Sequence, residues 1–197
     1  MSARRKATLD RREVVAAILK QRGDALVVAG LGAPCFDVMA CGDNPLNFYT
    51  WGAMGGTAMI GLGLALAQPK RRVLVITGDA DLLMSLGSLA TVATQQPDNL
   101  AIVVLDNEKF AETGKQRGLT SSRVDIAHVA KGFGIKTAMT VTEQGAVGEL
   151  AELLFKTPGP VLAVAKIAIT QDPWALPVKD GGDIAHRFRI ALGLEKA

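Results

Sequence analysis

Aromatic residues and cysteines are scarce in this chain. Aromatics make up 5% of its 197 residues, and its two cysteines are Cys35 and Cys41. On a helix their side chains would point about 240° apart, too far around the axis to share a disulfide or a metal ion. We expect two buried, reduced thiols and no disulfide framework.

Long apolar runs are also missing. The longest weakly polar stretch, residues 53–67, carries no charge, contains several glycines and is shorter than the roughly 20 residues that a membrane-spanning helix needs. Residues 1–6 are not followed by the apolar core of a secretory signal. We therefore interpret residues 53–67 as a buried helix and expect a cytoplasmic protein without a membrane partner.

The net charge is +3, and part of the basic charge lies near the start, at Arg4, Arg5, Lys6, Arg11 and Arg12. Few aromatic residues accompany these side chains, so they are weak indicators of nucleic-acid binding. We interpret them as a solvated, frayed terminus, with residues 1–9 as a flexible arm. The sequence also lacks a Ser-His-Asp arrangement, a Gly-Lys-Ser/Thr loop and a Cys/His cluster, and we expect surface or structural roles for His128 and His186.

Apolar runs alternate with helical patterns throughout, which is typical of a parallel sheet covered on both faces. Asp10, with Glu13 three residues later, predicts the start of the first helix. Strands are predicted at residues 25–29, 73–77, 100–105, 136–139 and 161–165, and further helices at 33–40, 54–67, 82–95, 126–132, 144–156 and 184–192. No linker or repeat interrupts the chain, so we predict one α/β domain over residues 1–197 with a doubly wound, mostly parallel sheet.

Polar residues follow two of these strands. Gly78-Asp79-Ala80-Asp81-Leu82 stands between a strand and a helix, where small residues let a diphosphate approach the backbone, although a plain turn with a helix cap is the commoner meaning. Asp106-Asn107 ends the next strand, with 26 residues between Asp79 and Asp106. Because parallel strands end on one edge, a carboxylate and an amide oxygen meet there, and these are suitable ligands for Mg²⁺ on a diphosphate.

A third segment, Trp51-Gly52-Ala53-Met54-Gly55-Gly56, opens the glycine-rich helix. The glycines allow close packing of this helix on the sheet, and Met54 then fills the core. Alternatively, the segment leaves the backbone open to a flat ring. Both interpretations stay open on the residues alone.

The three segments together resemble the diphosphate-binding domain of thiamine diphosphate enzymes, whose motif runs from Gly-Asp-Gly to Asn-Asn or Asp-Asn. The resemblance spans nearly the whole chain and is closest to the sulfopyruvate decarboxylase beta subunit and phosphonopyruvate decarboxylase. It includes Asn47-Phe48-Tyr49, residues 82–91 and 104–107, and His186-Arg187-Phe188-Arg189.

The resemblance implies thiamine diphosphate and Mg²⁺ as cofactors. Asp79, the Asn107 side chain and the Lys109 carbonyl would be the metal ligands. The Gly52 carbonyl would accept the aminopyrimidine's amino group, and Met54 would lie beneath the bend of the cofactor. The full implied set of cofactor-binding residues is Gly52, Ala53, Met54, Gly78, Asp79, Ala80, Asp81, Leu82, Asn107, Lys109 and Phe110.

Three residues depart from the family's pattern. Ala80 replaces a glycine, which is costly only if its φ is positive. Asp81 replaces a common serine, and Glu108 replaces a glycine. These two acids add negative charge beside a phosphate pocket, which is unfavourable unless Asp81 points outward or caps the helix.

The activating Glu of such enzymes lies on a pyrimidine-binding domain, for which this chain has no room. The resemblance therefore implies an alpha subunit that carries it, in an α₂β₂ or larger complex with active sites at the contact, and Arg187 and Arg189 are assigned to a subunit contact. The implied reaction is decarboxylation of a 2-oxoacid bearing a sulfonate or phosphonate. Lys115, Gln116 and Arg117 are best placed to attract that group, although a solvated loop explains them equally well.

Two other functions remain open. The departures at Ala80, Asp81 and Glu108 suggest a non-catalytic module that acts in assembly or regulation. A thiamine-dependent carboligase would keep the cofactor and change the reaction, because fold and cofactor do not fix the substrate.

Overall fold

One parallel sheet organises the protein, whose computed structural model describes residues 8–170 and 172–196. Six strands form the sheet in the order β2-β1-β3-β4-β8-β7. They are β1 (Leu26–Ala29), β2 (Asn47–Tyr49), β3 (Val73–Gly78), β4 (Leu100–Asp106), β7 (Thr137–Val141) and β8 (Val161–Lys166). A short antiparallel pair, β5 (Lys109–Phe110) and β6 (Gln116–Arg117), follows β4.

Eight helices connect and cover the strands in the described residues. They are α1 (Arg11–Leu19), α2 (Ala33–Ala40), α3 (Thr57–Ala67), α4 (Asp79–Met84), α5 (Ser88–Gln95), α6 (Ile126–Phe133), α7 (Val147–Lys156) and α8 (Gly181–Ala191). None of them combines the length and apolar character needed to cross a membrane.

Side chains of the central strands alternate between two apolar cores. Leu74 and Ile76 of β3 join a core with α1, α2 and α7, whereas Val73 and Val75 join a core with α3, α5 and α6. Each fully buried side chain of this size contributes about 1.5–3 kcal/mol. Helices therefore cover both faces of the sheet, and the predicted doubly wound α/β fold is confirmed.

Helix α3 packs unusually close to the sheet. A Cβ atom at Gly61 would lie 2.1 Å from Cγ2 of Val75, a distance that no real side chain tolerates. Gly61 is therefore required for the contact between α3 and β3. The glycines at 52, 55 and 56, for which close packing on the sheet was predicted, make no such approach, and Met54 is 41% exposed, so its predicted role as a core filler is wrong.

The start of the described chain differs from the prediction. Leu9 is buried and forms a parallel bridge with Ile167, so the predicted flexible arm is wrong for this residue, and its first seven residues lie outside the described part. Asp10 caps α1 through two backbone N–H groups, as predicted. Arg11 and Arg12 belong to α1 and pair with buried Asp37, so they are partly buried ion-pair partners and not the frayed terminus that was predicted.

Several element boundaries also needed correction. The predicted helix 82–95 is broken between α4 and α5, and the predicted helix 54–67 begins only at Thr57 because Gly55 has a φ of 85°. The strands β2, β5 and β6 were not predicted, because they are short and carry no continuous apolar run. Cys35 is buried as expected, but Cys41 is exposed at the end of α2.

Candidate functional site

The ends of β3 and β4 define the candidate site. The two strands are parallel neighbours, with Gly78 paired to Leu105 in their register. Asp79 begins α4 directly after β3, and Asp106 is the last residue of β4. The two polar segments therefore meet on one rim of the sheet, as the strand pattern predicted.

Asp79 and Asp106 are both buried and share one hydroxyl group. Oγ1 of buried Thr120 lies 3.0 Å from Oδ2 of Asp79 and 2.7 Å from Oδ1 of Asp106. Burial, reinforced by the negative charge of Asp106, raises the pKa of Asp79 to about 7, although the Thr120 hydrogen bond acts in the opposite direction.

One hydroxyl proton serves only one of these carboxylates at a time. Lys166 Nζ lies 2.6 Å from Oδ2 of Asp106, but no lysine, arginine or histidine in the described residues pairs with Asp79. A buried carboxylate without a cationic partner favours a bound proton or a bound cation. The chemistry of this pair therefore fits a hard divalent cation such as Mg²⁺.

The residues after Asp106 turn sharply. Asn107 accepts the Lys109 N–H at its side-chain oxygen, 2.8 Å away. Glu108 has a φ of 62°, in the left-handed region that glycine prefers, which costs a non-glycine residue about 1 kcal/mol or more. Lys166 Nζ lies 2.8 Å from the Glu108 carboxylate, so the charge that Glu108 adds is paired within the chain.

A cavity of about 250 Å³ opens beside Asp79. Its wall contains most of the predicted cofactor-binding residues, namely Met54, Gly78, Asp79, Ala80, Asp81, Asn107, Lys109 and Phe110. Gly52 and Ala53 lie outside this wall, and Leu82 is buried in the core with α3, α5 and α6. Cofactor contacts for these three stay predictions, and for Leu82 they would involve the backbone.

The departures at Ala80 and Asp81 are both accommodated. Ala80 lies within α4 and is not among the described residues with positive φ, so a side chain costs little there. Asp81 is 5% exposed and neither points outward nor caps a helix. Its carboxylate instead accepts hydrogen bonds from Gly55 N–H (2.5 Å), Thr57 Oγ1 (2.7 Å) and Thr77 Oγ1 (2.5 Å).

A second cavity of about 290 Å³ adjoins the first and shares Asn107 and Glu112 with it. Its wall includes Lys115 and a stacked aromatic pair, Phe36 and Trp174, whose ring centroids are 5.7 Å apart. Of the three loop residues predicted to attract an anionic substrate, Lys115 alone lines it, because Gln116 and Arg117 belong to β6 and bond within their own loop.

Thr120 and Lys166 were not predicted as site residues. Lys166 ends β8 on the same rim, so the strand-end rule that selected Asp106 would also have selected it. Thr120 lies in a 3₁₀ turn with no preceding pattern. His128 and His186 are exposed, in agreement with the surface roles predicted for them.

Within the described residues, no group of three His, Cys, Asp or Glu side chains is arranged to hold a metal ion. A site built from one carboxylate, one amide oxygen, one backbone carbonyl and diphosphate oxygens does not need such a group. Mg²⁺ commonly binds in this way, through few protein carboxylates.

Comparison with known proteins agrees with this geometry. Residues 32–165 match the family model described as thiamine pyrophosphate enzyme, C-terminal TPP binding domain. Sulfopyruvate decarboxylase subunit beta of Methanothermobacter thermautotrophicus is 44% identical over 64% of this chain and 67% of its own length. The protein of the same name from Methanococcus maripaludis is 32% identical over 93% of this chain and 98% of its own length.

Two longer proteins match over part of their length. Phosphonopyruvate decarboxylase of Streptomyces viridochromogenes is 38% identical over 84% of this chain, and the match covers 42% of that enzyme. The structure of benzoylformate decarboxylase from Polynucleobacter necessarius superimposes with a TM-score of 0.66 at 18% identity, over 88% of this chain and 36% of that one. The latter likeness shows a shared fold. Because the family model matches most of the chain, the chain belongs to the thiamine pyrophosphate enzymes, as a C-terminal TPP-binding domain. It is similar to sulfopyruvate and phosphonopyruvate decarboxylases.

Proposed function

We propose that the chain is the cofactor-binding subunit of a 2-oxoacid decarboxylase that requires thiamine diphosphate and Mg²⁺. The observation that carries this proposal is the buried pair of Asp79 and Asp106, joined through Thr120 on the rim beside the cavity of about 250 Å³. Asp106 is already paired with Lys166, whereas Asp79 has no such cationic partner among the described residues, so Asp79 favours a bound cation. A cation is also what a diphosphate needs in a protein site.

The residues present fit both cofactors. Asp79, the Asn107 side-chain oxygen and the Lys109 carbonyl would hold Mg²⁺, with diphosphate and water oxygens completing its shell. All three residues line the same cavity. The pKa of about 7 at Asp79 means that a divalent cation would replace a proton there near neutral pH.

The chain would orient thiamine diphosphate rather than perform its chemistry. The bound thiazolium supplies the electron sink for the carbanion that forms when carbon dioxide is lost. Gly52 would accept the aminopyrimidine's amino group at its carbonyl, Met54 would support the bend of the cofactor, and the backbone of Ala80 would approach the diphosphate. Met54 and Ala80 share the cavity wall with Asp79, which supports this orientation.

The substrate we propose is a 2-oxoacid with a sulfonate or phosphonate group, as in the names of the relatives. The second cavity adjoins the cofactor cavity at Asn107 and is large enough for a small acid. Arg11 in its wall is already paired with Asp37 and Asp172. We therefore assign Lys115 as the basic side chain that binds the sulfonate or phosphonate group of the substrate.

Catalysis requires a second polypeptide or further residues in this proposal. The match covers 42% of the single-chain phosphonopyruvate decarboxylase, which leaves more than half of that enzyme without a counterpart here. Two relatives are named beta subunits. We propose an alpha subunit that brings the pyrimidine-binding domain and the activating Glu, with the active site at the contact.

Reconstitution tests the proposal. Mixing the chain with its alpha subunit should release carbon dioxide from sulfopyruvate or phosphonopyruvate only when thiamine diphosphate and Mg²⁺ are present. Asp79→Ala should abolish this activity, and full activity in that variant would refute the Mg²⁺ assignment. Asp125→Ala, which removes the cap of α6, is the matched control and should keep its rate.

A non-catalytic module is the competing function, and the two added acids were the reason to consider it. Asp81 accepts three hydrogen bonds and Glu108 pairs with Lys166, so neither acid is without partners beside the pocket, which supports the enzyme. Calorimetry of the complex separates the two functions. Saturable, Mg²⁺-dependent binding rejects the module, and no binding at millimolar cofactor rejects the decarboxylase. A condensed product in place of a free aldehyde would indicate a carboligase.

A further inference from the structure

Asp81 is a buried acid that the proposed chemistry does not use. Its carboxylate lies in a niche between the ends of two strands and the start of α3, where the Thr57 and Thr77 hydroxyls donate to it. A Cβ atom at Gly30 would come within 2.8 Å of Oδ2 of Asp81, so the glycine leaves room for the carboxylate. The surroundings are thus complementary to a carboxylate at this place, which also adjoins the cavity wall.

The third donor to Asp81 is the backbone N–H of Gly55, 2.5 Å from Oδ1. The carbonyl of the same glycine accepts a hydrogen bond from the Ser85 hydroxyl, just past the end of α4. Gly55 has a φ of 85°, which disfavours any side chain there, and Gly56 N–H closes the turn on the Ala53 carbonyl at 2.8 Å. The N–H and the carbonyl of Gly55 are therefore hydrogen-bonded by Asp81 in α4 and by Ser85 directly after it.

Met54 immediately precedes this clamped residue. The Asp81 hydrogen bond fixes the peptide group that joins Met54 to Gly55, and so restricts the rotation that aims the Met54 side chain. That side chain is 41% exposed and lines the cavity together with Asp79 and Ala80. Its position against a bound molecule thus depends on the backbone turn more than on packing in the core.

We propose that Asp81 is a positioning residue: it fixes the Met54–Gly55 turn relative to α4, and so sets the distance between Met54 and the residues that would hold the diphosphate. This inference rests on the proposed cofactor site. In this view the acid acts through the backbone of Gly55, and its charge does not act on the phosphates.

Two substitutions distinguish positioning from charge. Asp81→Ala removes the acceptor for Gly55 N–H. Asp81→Asn keeps an acceptor for that N–H and turns an amide towards the Thr57 and Thr77 hydroxyls, which can accept as well as donate. If the acid repelled the diphosphate, both variants would bind thiamine diphosphate more tightly. If it positions Met54, Asp81→Ala weakens binding by roughly 10-fold, the loss of one hydrogen bond to a charged group, and Asp81→Asn restores it.

The first measurement needs no cofactor. Amide hydrogen exchange on the full chain should show a protected Gly55 N–H that becomes at least about tenfold faster in Asp81→Ala and stays protected in Asp81→Asn. Asp125→Ala, which weakens a distant helix cap, should leave Gly55 unchanged. If the exchange of Gly55 N–H is unaltered in Asp81→Ala, then Asp81 does not fix the Met54–Gly55 turn. This conclusion holds whether or not the chain binds thiamine diphosphate.

The second measurement is calorimetry of thiamine diphosphate with Mg²⁺ on the assembled complex, combined with Met54→Ala. If Asp81 acts through Met54, the losses of Asp81→Ala and Met54→Ala are not additive, and the double variant binds about as weakly as Met54→Ala alone. Fully additive losses, or tighter binding by Asp81→Ala, would overturn the proposal. If the unaltered complex does not bind thiamine diphosphate, the proposed function is rejected. The hydrogen-exchange result then decides by itself whether Asp81 fixes the Met54–Gly55 turn.

Discussion

Two acids, Asp37 beneath α1 and Asp79 on the rim of the sheet, are both buried but have different neighbours. Asp37 is fully buried and Asp79 is 3% exposed, and burial raises the pKa of both, to about 6 and about 7. Around Asp37 stand Arg11 and Arg12, which lower its pKa but do not cancel the effect of burial. Beside Asp79 stands another acid, Asp106, which raises its pKa further.

The difference separates a structural acid from a binding acid. Asp37 ties α1 to α2 with cations that the chain itself supplies. Asp79 has hydrogen bonds, including one from the Thr120 hydroxyl, but no cation among the described residues, and these hydrogen bonds do not cancel the effect of burial on its pKa. A bound cation would stabilise its ionised form further. Similar burial thus accompanies a fixed ion pair in one place and the proposed cation site in the other.

The largest effect is expected for Asp79→Asn. The folded-state pKa of Asp79 (about 7) lies above the ordinary value of 3.8, so the folded protein loses stability through this group as pH rises from about 4 to about 7. Asparagine cannot ionise, so the variant should be more stable than the unaltered protein at pH 8, by about 1–3 kcal/mol. Thiamine diphosphate binding with Mg²⁺ should fall by more than the roughly 10–100-fold that outer-shell changes cost.

Thermal unfolding at pH 4 and pH 8, with calorimetry at pH 8, measures both parts. The stability gain should be present at pH 8 and absent at pH 4. A variant that is less stable at pH 8 than the unaltered protein, or that binds the cofactor normally, would remove the distinction between the two acids.

A smaller effect, on stability alone, is expected for Arg12→Met. Removing this cation raises the pKa of Asp37 above its value of about 6 and leaves a buried charge less compensated above that pH. The folded protein should lose about 1–2 kcal/mol at pH 8, and less at pH 4, where Asp37 is protonated. Cofactor affinity should stay within about threefold, because the two regions share no partner.

Urea unfolding at the two pH values measures the effect. In an Asp37→Asn background the dependence on pH should vanish, because the titrating group is gone. An equal loss at pH 4 and pH 8 would mean that Arg12 contributes through its contact with the Pro173 carbonyl rather than through Asp37.

The strand pattern made the rim of the sheet predictable. Continuous apolar runs at β3 and β4 located Asp79 and Asp106 at strand ends, and parallel topology brought these ends together. The same reasoning could have found Lys166, because β8 pairs with β4 and ends at that edge. Residues that lie at the ends of strands can therefore be predicted from the sequence.

Thr120 and the orientation of Asp81 could not be predicted in this way. Thr120 reaches the two acids from an irregular segment, whose path depends on packing rather than on a repeating pattern. Asp81 turns inward because Gly30 leaves space and two threonines from separate elements supply donors, and these contacts exist only after the chain has folded.

The smallest effect is expected for Glu108→Gly. Glycine relieves the cost of the left-handed backbone at φ 62°, about 1 kcal/mol, but the change also removes the ion pair with Lys166, worth roughly 0.2–1 kcal/mol at a partly exposed site. Stability should therefore change by less than about 1 kcal/mol. Because Glu108 is paired with Lys166, which it shares with Asp106, thiamine diphosphate affinity should change by less than about threefold.

Glu108→Ala is the matched control, because it loses the same ion pair and keeps the strained backbone. It should be less stable than Glu108→Gly by about 1 kcal/mol in urea unfolding. A tenfold gain in cofactor affinity in both variants would show that the Glu108 charge acts on the diphosphate despite Lys166. In that case the rim would repel its ligand as well as attract a cation, and the contrast between Asp37 and Asp79 would have to include a third acid.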